Sequence, residues 1–192
     1  VTASTRDRIL EAALACIDAD GLAATSLEDV ARVAAVSRAT IYRQFPGGRE
    51  QLVSETITWE VGRFFHRIEV AIEYQPDLGA KLAVALMTGH RAISEHGLLQ
   101  RLLRLEPEAL LPEIESATDA VAGIVVLLIA DELRAGILDG RVRPDLDVTE
   151  AADHLARLFL SHLGSAGQWD LADRAEVDRL VRTQFLAGVL LG

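Results

Sequence analysis

Apolar residues recur at helical spacing along almost the whole chain. Ile9, Leu10, Ala13, Leu14 and Ile17 form the first stripe, between Thr5 and about Ala19, the i, i+3, i+4, i+7 signature of an amphipathic helix. Ser4-x-x-Asp7 provides a capping box ahead of it, and Gly21 lies just past its end. Leu22–Ala24 form a link. Thr25-x-x-Glu28 and Ser26-x-x-Asp29 then offer overlapping start signals for a short helix with Leu27, Val30, Ala31 and Ala34 inward. After Ala35-Val36, Ser37 is placed to cap a third helix, Arg38 to Phe45, which Pro46-Gly47-Gly48 ends.

Beyond Gly48 the periods lengthen. Val53, Ile57, Val61, Phe64, Ile68 and Ile72 make one long stripe. Pro76-Asp77 restarts a helix that runs to about His96, with apolar residues on two faces: Leu78, Leu82, Leu86 and Ile93 on one, Ala83 and Met87 with His90 and Ser94 on the other. Such a helix is expected to be central and contacted from two sides. Pro107 and Pro112 break a short-helix segment over 98–113, and a long helix follows over about 115–138. Two helices, about 148–166 and 174–190, close the chain, with stripes Ala152, Leu155, Ala156, Phe159, Leu163 and Val177, Leu180, Val181, Phe185, Val189. No strand alternation and no internal repeat interrupt the helical pattern. The expected fold class is all-α.

Composition agrees. The 192 residues are half hydrophobic, enough for a real core. The apolar content is mostly Leu and Ala, which favour helix over strand. The longest uncharged run, Ala120–Ala130, is far short of the roughly 20 residues of a membrane span. The lone Cys16 excludes an internal disulfide and a cysteine metal cage, and fits a reducing compartment. With a polar start to the chain, these features lead to the expectation of a cytoplasmic protein without a membrane partner. No nucleophile elbow, phosphate loop, dinucleotide fingerprint or metal-ligand spacing is present, so neither catalysis nor a cofactor or metal is expected. Cys16 reads as a small buried residue of the first helix.

The net charge of −10 at first argues against a nucleic-acid partner. Its distribution changes that. Residues 1–50 carry six Arg and seven acids, whereas the rest of the chain carries 13 basic and 22 acidic residues. From Val30 to Arg49 there are four arginines and no acid. This basic window falls on two short helices joined by a tight turn and braced by a preceding helix, the helix-turn-helix arrangement. The second helix of such a motif enters the major groove, so it must be short, exposed and free of acids. Here Ile41 and Phe45 anchor one face, leaving Arg38, Thr40, Tyr42 and Arg43 for the other.

These residues resemble the TetR family of one-component transcriptional regulators. The likeness is strongest over residues 5–53. Thr25 to Ala34 is similar to the family's second helix, and Val36 to Phe45, with its Ser37-x-x-Thr40-Ile41-Tyr42-x-x-Phe45 core, to its turn and recognition helix. Arg49-Glu50-Gln51-Leu52 is similar to the start of the fourth helix. The chain departs from the family pattern in two places. Ala35 stands where glycine is common, which costs on the order of 1 kcal/mol if φ is positive there. The link Pro46-Gly47-Gly48 is one residue longer than usual, so the register of Arg49 against the family's phosphate-contacting lysine shifts.

The resemblance implies a DNA-binding domain over 1–47 and a helical ligand-binding and dimerisation domain over 48–192. It implies a homodimer that represses from a pseudo-palindromic double-stranded DNA operator and is released by a small-molecule effector. Arg38 is the candidate base reader, through guanine O6 and N7. Thr40 is a candidate for contact with phosphate or a thymine methyl, Tyr42, Arg43 and Arg49 for contacts to the phosphate backbone, and Thr25 and Ser37 for N-caps whose helix ends face phosphate. Phe65, Met87, His90 and Trp169 are the candidate ligand-pocket residues, and Leu155, Phe159, Leu163, Val181, Phe185 and Val189 the candidate dimer seam. Ordinary helix packing is the competing role for Met87 and His90, packing at the dimer edge that for Trp169, and packing against the first helix that for Tyr42. Two alternatives stand beside the repressor: a constitutive DNA binder without effector response, and a helical protein-interaction module.

Overall fold

The structure is a computed structural model, which describes residues 4–190. Its elements in order are α1 Thr5–Asp20, α2 Leu27–Val33, α3 Arg38–Gln44, α4 Gly48–Ile72, α5 Leu78–Ser94, α6 Gly97–Leu105, α7 Pro107–Leu138, α8 Val148–Gly164 and α9 Arg174–Leu180, the last running into a π-helical turn Val181–Phe185. The protein is all-α, and an isolated antiparallel bridge between Val142 and Leu190 is the β-type pairing found among the described residues. No helix among them is long and apolar enough to cross a membrane.

The chain forms two compact units. The first runs to Arg63 and adds His96–Asp119, so it holds α1–α3, the first part of α4, α6 and the start of α7. The second comprises Phe64–Glu95 and the chain from Ala120 onward. The boundary at 47/48 expected from sequence falls inside the first unit, in the turn between α3 and α4.

In the first unit, Ile9, Leu10, Ala13, Val30, Ile41, Phe45 and Leu52 make one core cluster. A second joins Ile17, Leu22, Val53 and Ile57 to Leu102, Leu110 and Ala117. Local signals explain the short helices. Ser4 and Asp7 form the full capping box on α1. The Ser26 hydroxyl accepts the Asp29 amide at α2, and that of Ser37 the Thr40 amide at α3. α2 is therefore capped by Ser26, not by Thr25. The Thr25 side chain is buried and its hydroxyl donates to the Gly21 carbonyl at 2.8 Å. Cys16 is buried in α1, and that burial is the main cause pushing its thiol pKa up, which disfavours the reactive thiolate.

Ala35, in the turn between α2 and α3, has φ of +53°. An L-residue with a Cβ is strained there. Ala35→Gly should raise the stability of this unit by about 0.5–1 kcal/mol, the relief of strain exceeding the added freedom of the unfolded chain. A higher urea midpoint at constant m-value checks this, and an unchanged or lower midpoint contradicts it.

In the second unit, α5 is central, as its two apolar faces predict. It packs against α8 and α9 and contributes Leu78, Leu82, Ala83, Ala85 and Leu86 to the core. Gly89 makes the closest approach: a Cβ there would collide with the Leu163 side chain of α8. Lys81 pairs with Glu132 of α7.

Three sequence expectations are corrected. Pro112 does not end a helix: α7 starts at Pro107 and continues through Pro112. Pro107 sits at the first helical position, where its missing N–H costs nothing, and buried Leu110 and Ala117 hold the segment through the second proline. The last helix does not reach 190. It widens into the π-helical turn and leaves helix near Leu186, with Gly188 at φ +79° and the Arg143 amide donating to the Val189 carbonyl at 3.1 Å. Finally, Leu155, Phe159, Leu163, Val181, Phe185 and Val189 are all buried in the core of a single chain. They stabilise the second unit itself and are not a surface left for a partner to cover. The exposed large apolar residues of α7 include Ile124, Leu127 and Leu128 instead.

Candidate nucleic-acid interface

α3 is anchored from beneath. Ile41 and Phe45 have no exposed surface, and the Phe45 amide closes the helix on the Ile41 carbonyl at 2.8 Å. With those two positions inward, helical geometry turns Arg38, Tyr42 and Arg43 outward, and all three are exposed. Thr40 is half-buried, its hydroxyl 3.0 Å from that of Ser37. Tyr42 is 45% exposed, which settles it on the outer face rather than against α1.

The four arginines of the basic window have four different environments. Arg38 pairs with Glu28 of α2, and its guanidinium also lies 6.0 Å from the centre of the Tyr42 ring. Arg32 pairs with Asp29 at 2.6 Å; the Ser26 hydroxyl and then Arg32 hold the Asp29 carboxyl below the usual carboxylate range. Arg43 has no hydrogen bond or ion pair among the described residues. Arg49 points into the unit: its guanidinium donates to the carbonyls of Thr25 at 2.8 Å, Leu22 at 2.6 Å and Ala23 at 3.0 Å. Its Nε and Nη2 donors are therefore engaged by the α1–α2 loop, which turns the side chain away from the phosphate role suggested by the resemblance. Thr25, buried and hydrogen-bonded inward, likewise offers no side-chain contact to a ligand.

Both sides of the Arg38–Glu28 pair are more than half exposed. Exposed pairs of this kind are worth about 0–1 kcal/mol. Glu28 can therefore hold the guanidinium extended at little cost to its release toward a base edge or phosphate.

Sequence reasoning missed Glu106. It lies between α6 and α7, and its carboxylate accepts the amides of Leu22 at 3.0 Å and Ala23 at 2.8 Å. A solitary Glu before Pro107 carries no signal for a contact more than 80 residues away, and only the folded chain brings the groups together. A cleft of about 360 Å³ opens beside this contact, lined by Leu22, Ala23, Arg49, Glu50, Val53, Ala109 and Glu113.

The candidate pocket residues lie in the other unit. Phe65, Met87 and Trp169 pack half-buried against its core. Phe65 meets Phe64 edge to face at 5.2 Å, and Arg179 covers the Trp169 ring at 4.7 Å. His90 is half-buried one turn beyond Met87.

Residues 9–56 match the pattern of bacterial regulatory proteins of the tetR family. Over 151 residues the chain is 28% identical to the HTH-type transcriptional repressor KstR2 of Mycolicibacterium smegmatis, covering 76% of this chain and 71% of that protein. Among solved structures it resembles GusR of Salmonella enterica at a TM-score of 0.63 and 20% identity, covering 96% of this chain and 95% of that one. It resembles FadR of Bacillus subtilis, solved with stearoyl-CoA, at a TM-score of 0.55 and 20% identity, covering 95% and 98%. At that identity the structural likeness speaks to the fold alone.

Proposed function

We propose that this chain is a member of the TetR family of bacterial regulatory proteins, whose pattern its residues 9–56 match, and that it is a dimeric repressor that binds a pseudo-palindromic operator and is released by a small-molecule effector. It is a transcriptional regulator and not an enzyme. The observation that carries the proposal is the outward face of α3: two arginines and a tyrosine exposed, with Thr40 half-buried beside them, on a helix whose opposite face is buried. Two such helices related by a two-fold axis reach half-sites about one helical turn apart. Arg38 reads a base, and Tyr42, Arg43 and Thr40 hold the backbone. Ser37 caps α3 so that its first amides face a phosphate.

The effector acts in the second unit, among Phe65, Met87, His90 and Trp169, and a molecule with a large apolar part suits those helices. To release DNA it must bind the DNA-incompetent state more tightly than the competent one. The protein works in the cytoplasm, where its operator lies. The dimer seam lies elsewhere than the six buried residues of α8, α9 and the π-helical turn.

Selection of genomic fragments by the purified protein, followed by gel shift, tests the reading. A single preferred palindromic site supports it; no bound fragment sinks it in favour of a helical interaction module. A preferred site whose affinity no candidate effector alters favours the constitutive binder. Arg43→Ala should weaken binding to all sequences alike and lower the slope of log K against log salt by about 1, because one phosphate neutralisation is lost. A change confined to one base position would make Arg43 a base reader instead.

A further inference from the structure

The loop between α1 and α2 leaves peptide groups without helical partners, and two charged side chains from outside the first three helices supply them. Glu106 takes the amides of Leu22 and Ala23, one on each carboxylate oxygen. Arg49 takes the carbonyls of Leu22, Ala23 and Thr25. Three further features lie along the same loop. Gly21 has φ of +93°, and a Cβ on it would collide with the Glu106 carboxylate. Thr25 turns its hydroxyl back to Gly21. Ser26 then caps α2, which packs against α3.

Glu106 is itself rigidly held. Its amide closes α6 on the Leu102 carbonyl at 2.8 Å, and its own carbonyl accepts the amides of Ala109 at 3.2 Å and Leu110 at 3.1 Å, so one residue ends α6 and starts α7. Leu102 and Leu110 on either side are buried with Ile17 and Leu22. Arg101 of α6 also pairs with Asp18 of α1 at 2.7 Å.

We propose that Glu106 is a positioning residue for DNA binding: the α6–α7 corner holds the α1–α2 loop through its carboxylate, with Arg49 as the opposing jaw, and so sets the pose of α2 and α3 on the operator. This rests on the DNA-binding reading above. The sign of the effect separates it from simple electrostatics. Glu106 is an acid in an acidic protein, so removing its charge should by Coulomb's law strengthen attraction to DNA. Removing a positioning contact should weaken it.

The experiment compares Glu106→Ala, Glu106→Gln and Glu113→Gln with wild type, using the selected operator fragment at several salt concentrations. Amide hydrogen exchange at Leu22 and Ala23 is read in parallel. Glu113 removes the same charge nearby and has no hydrogen bond or ion pair among the described residues. Glu106→Ala should bind the operator about tenfold or more weaker with an unchanged salt slope, since no phosphate contact is lost, and should exchange faster at both amides. Glu106→Gln, which keeps one acceptor oxygen, should fall between it and wild type. Glu113→Gln should bind as wild type or slightly tighter. Operator binding by Glu106→Ala at or above the wild-type level overturns the proposal, as does unchanged protection of Leu22 and Ala23. Should Glu106→Ala lose its helical signal, Glu106→Gln decides: wild-type affinity in that folded variant overturns the proposal equally. Failure of the wild-type protein to bind any DNA would overturn the functional reading itself, an outcome seen before any variant is compared.

Discussion

Phe45→Ala is expected to abolish DNA binding by unfolding the helices that carry it. Phe45 has no exposed surface and closes α3, with Ile9, Leu10, Ile41 and Leu52 in the same cluster. The Arg6 guanidinium lies 5.2 Å above its ring, so truncation also removes the surface on which that side chain rests. A fully buried phenylalanine cut to alanine costs about 3–5 kcal/mol, combining lost burial with a residual cavity. Typical domains have only about 5–15 kcal/mol in all. α2 and α3, seven residues each, are too short to persist without that cluster. The expected result is a large fall in the urea midpoint and loss of operator binding at temperatures where wild type binds. A variant within about 1 kcal/mol of wild type would show that the cluster repacks around the gap.

Arg38→Ala should leave the fold intact and change what the protein reads. The side chain is exposed, at the start of α3, and its partner Glu28 is exposed as well. Loss of two hydrogen bonds to a guanine costs about 1–3 kcal/mol of discrimination, roughly 5- to 150-fold between the right and wrong base at one position of each half-site. Competition binding against operators mutated position by position should show the preference collapsing at one position and surviving at the others. Stability should stay within about 0.5 kcal/mol, as for surface substitutions generally. Uniform weakening across all sequences would instead make Arg38 a phosphate contact.

The two expectations rest on residues of different legibility. Phe45 and Ile41 were readable as anchors because they lie four apart on a helix whose other residues are polar, and the structure buries both completely. Ser4 and Ser37 were readable as caps because capping is a local bond between residues three apart, whereas at α2 the spacing fits Thr25 and Ser26 alike and the fold uses Ser26. Ala35 was readable as a strained position only through the resemblance, which marks where a glycine commonly stands, and its φ of +53° bears out that reading. Thr25 and Arg49 were misread for the opposite reason. Both occupy positions where a polar side chain can face DNA, yet the carbonyls of residues 21–25 draw both inward. Nothing local to either residue distinguishes the two outcomes.

The charge pattern was half legible. The concentration of arginine between Val30 and Arg49 is a fact of sequence, but its neutralisation is not. Asp29 and Glu28, just outside that window, turn back onto Arg32 and Arg38, and half-buried Arg49 donates to backbone carbonyls, leaving Arg43 with no polar partner among the described residues. The electrostatic footprint available to DNA before any rearrangement is therefore smaller than four arginines suggest.

By itself the sequence determined the all-α class, the first three helices with the caps of α1 and α3, and the inward face of α3. Each follows from interactions within about one or two helical turns, where spacing dictates which side chains meet. Only the tertiary structure decided what the apolar stripes of α8 and α9 cover. A stripe states that a face must be buried, not against what, and here α5 fills that role within one chain. Only the tertiary structure, likewise, joined Glu106 to Leu22 and Ala23, because a hydrogen bond across more than 80 residues depends on where packing places both ends and leaves no periodic trace in the chain.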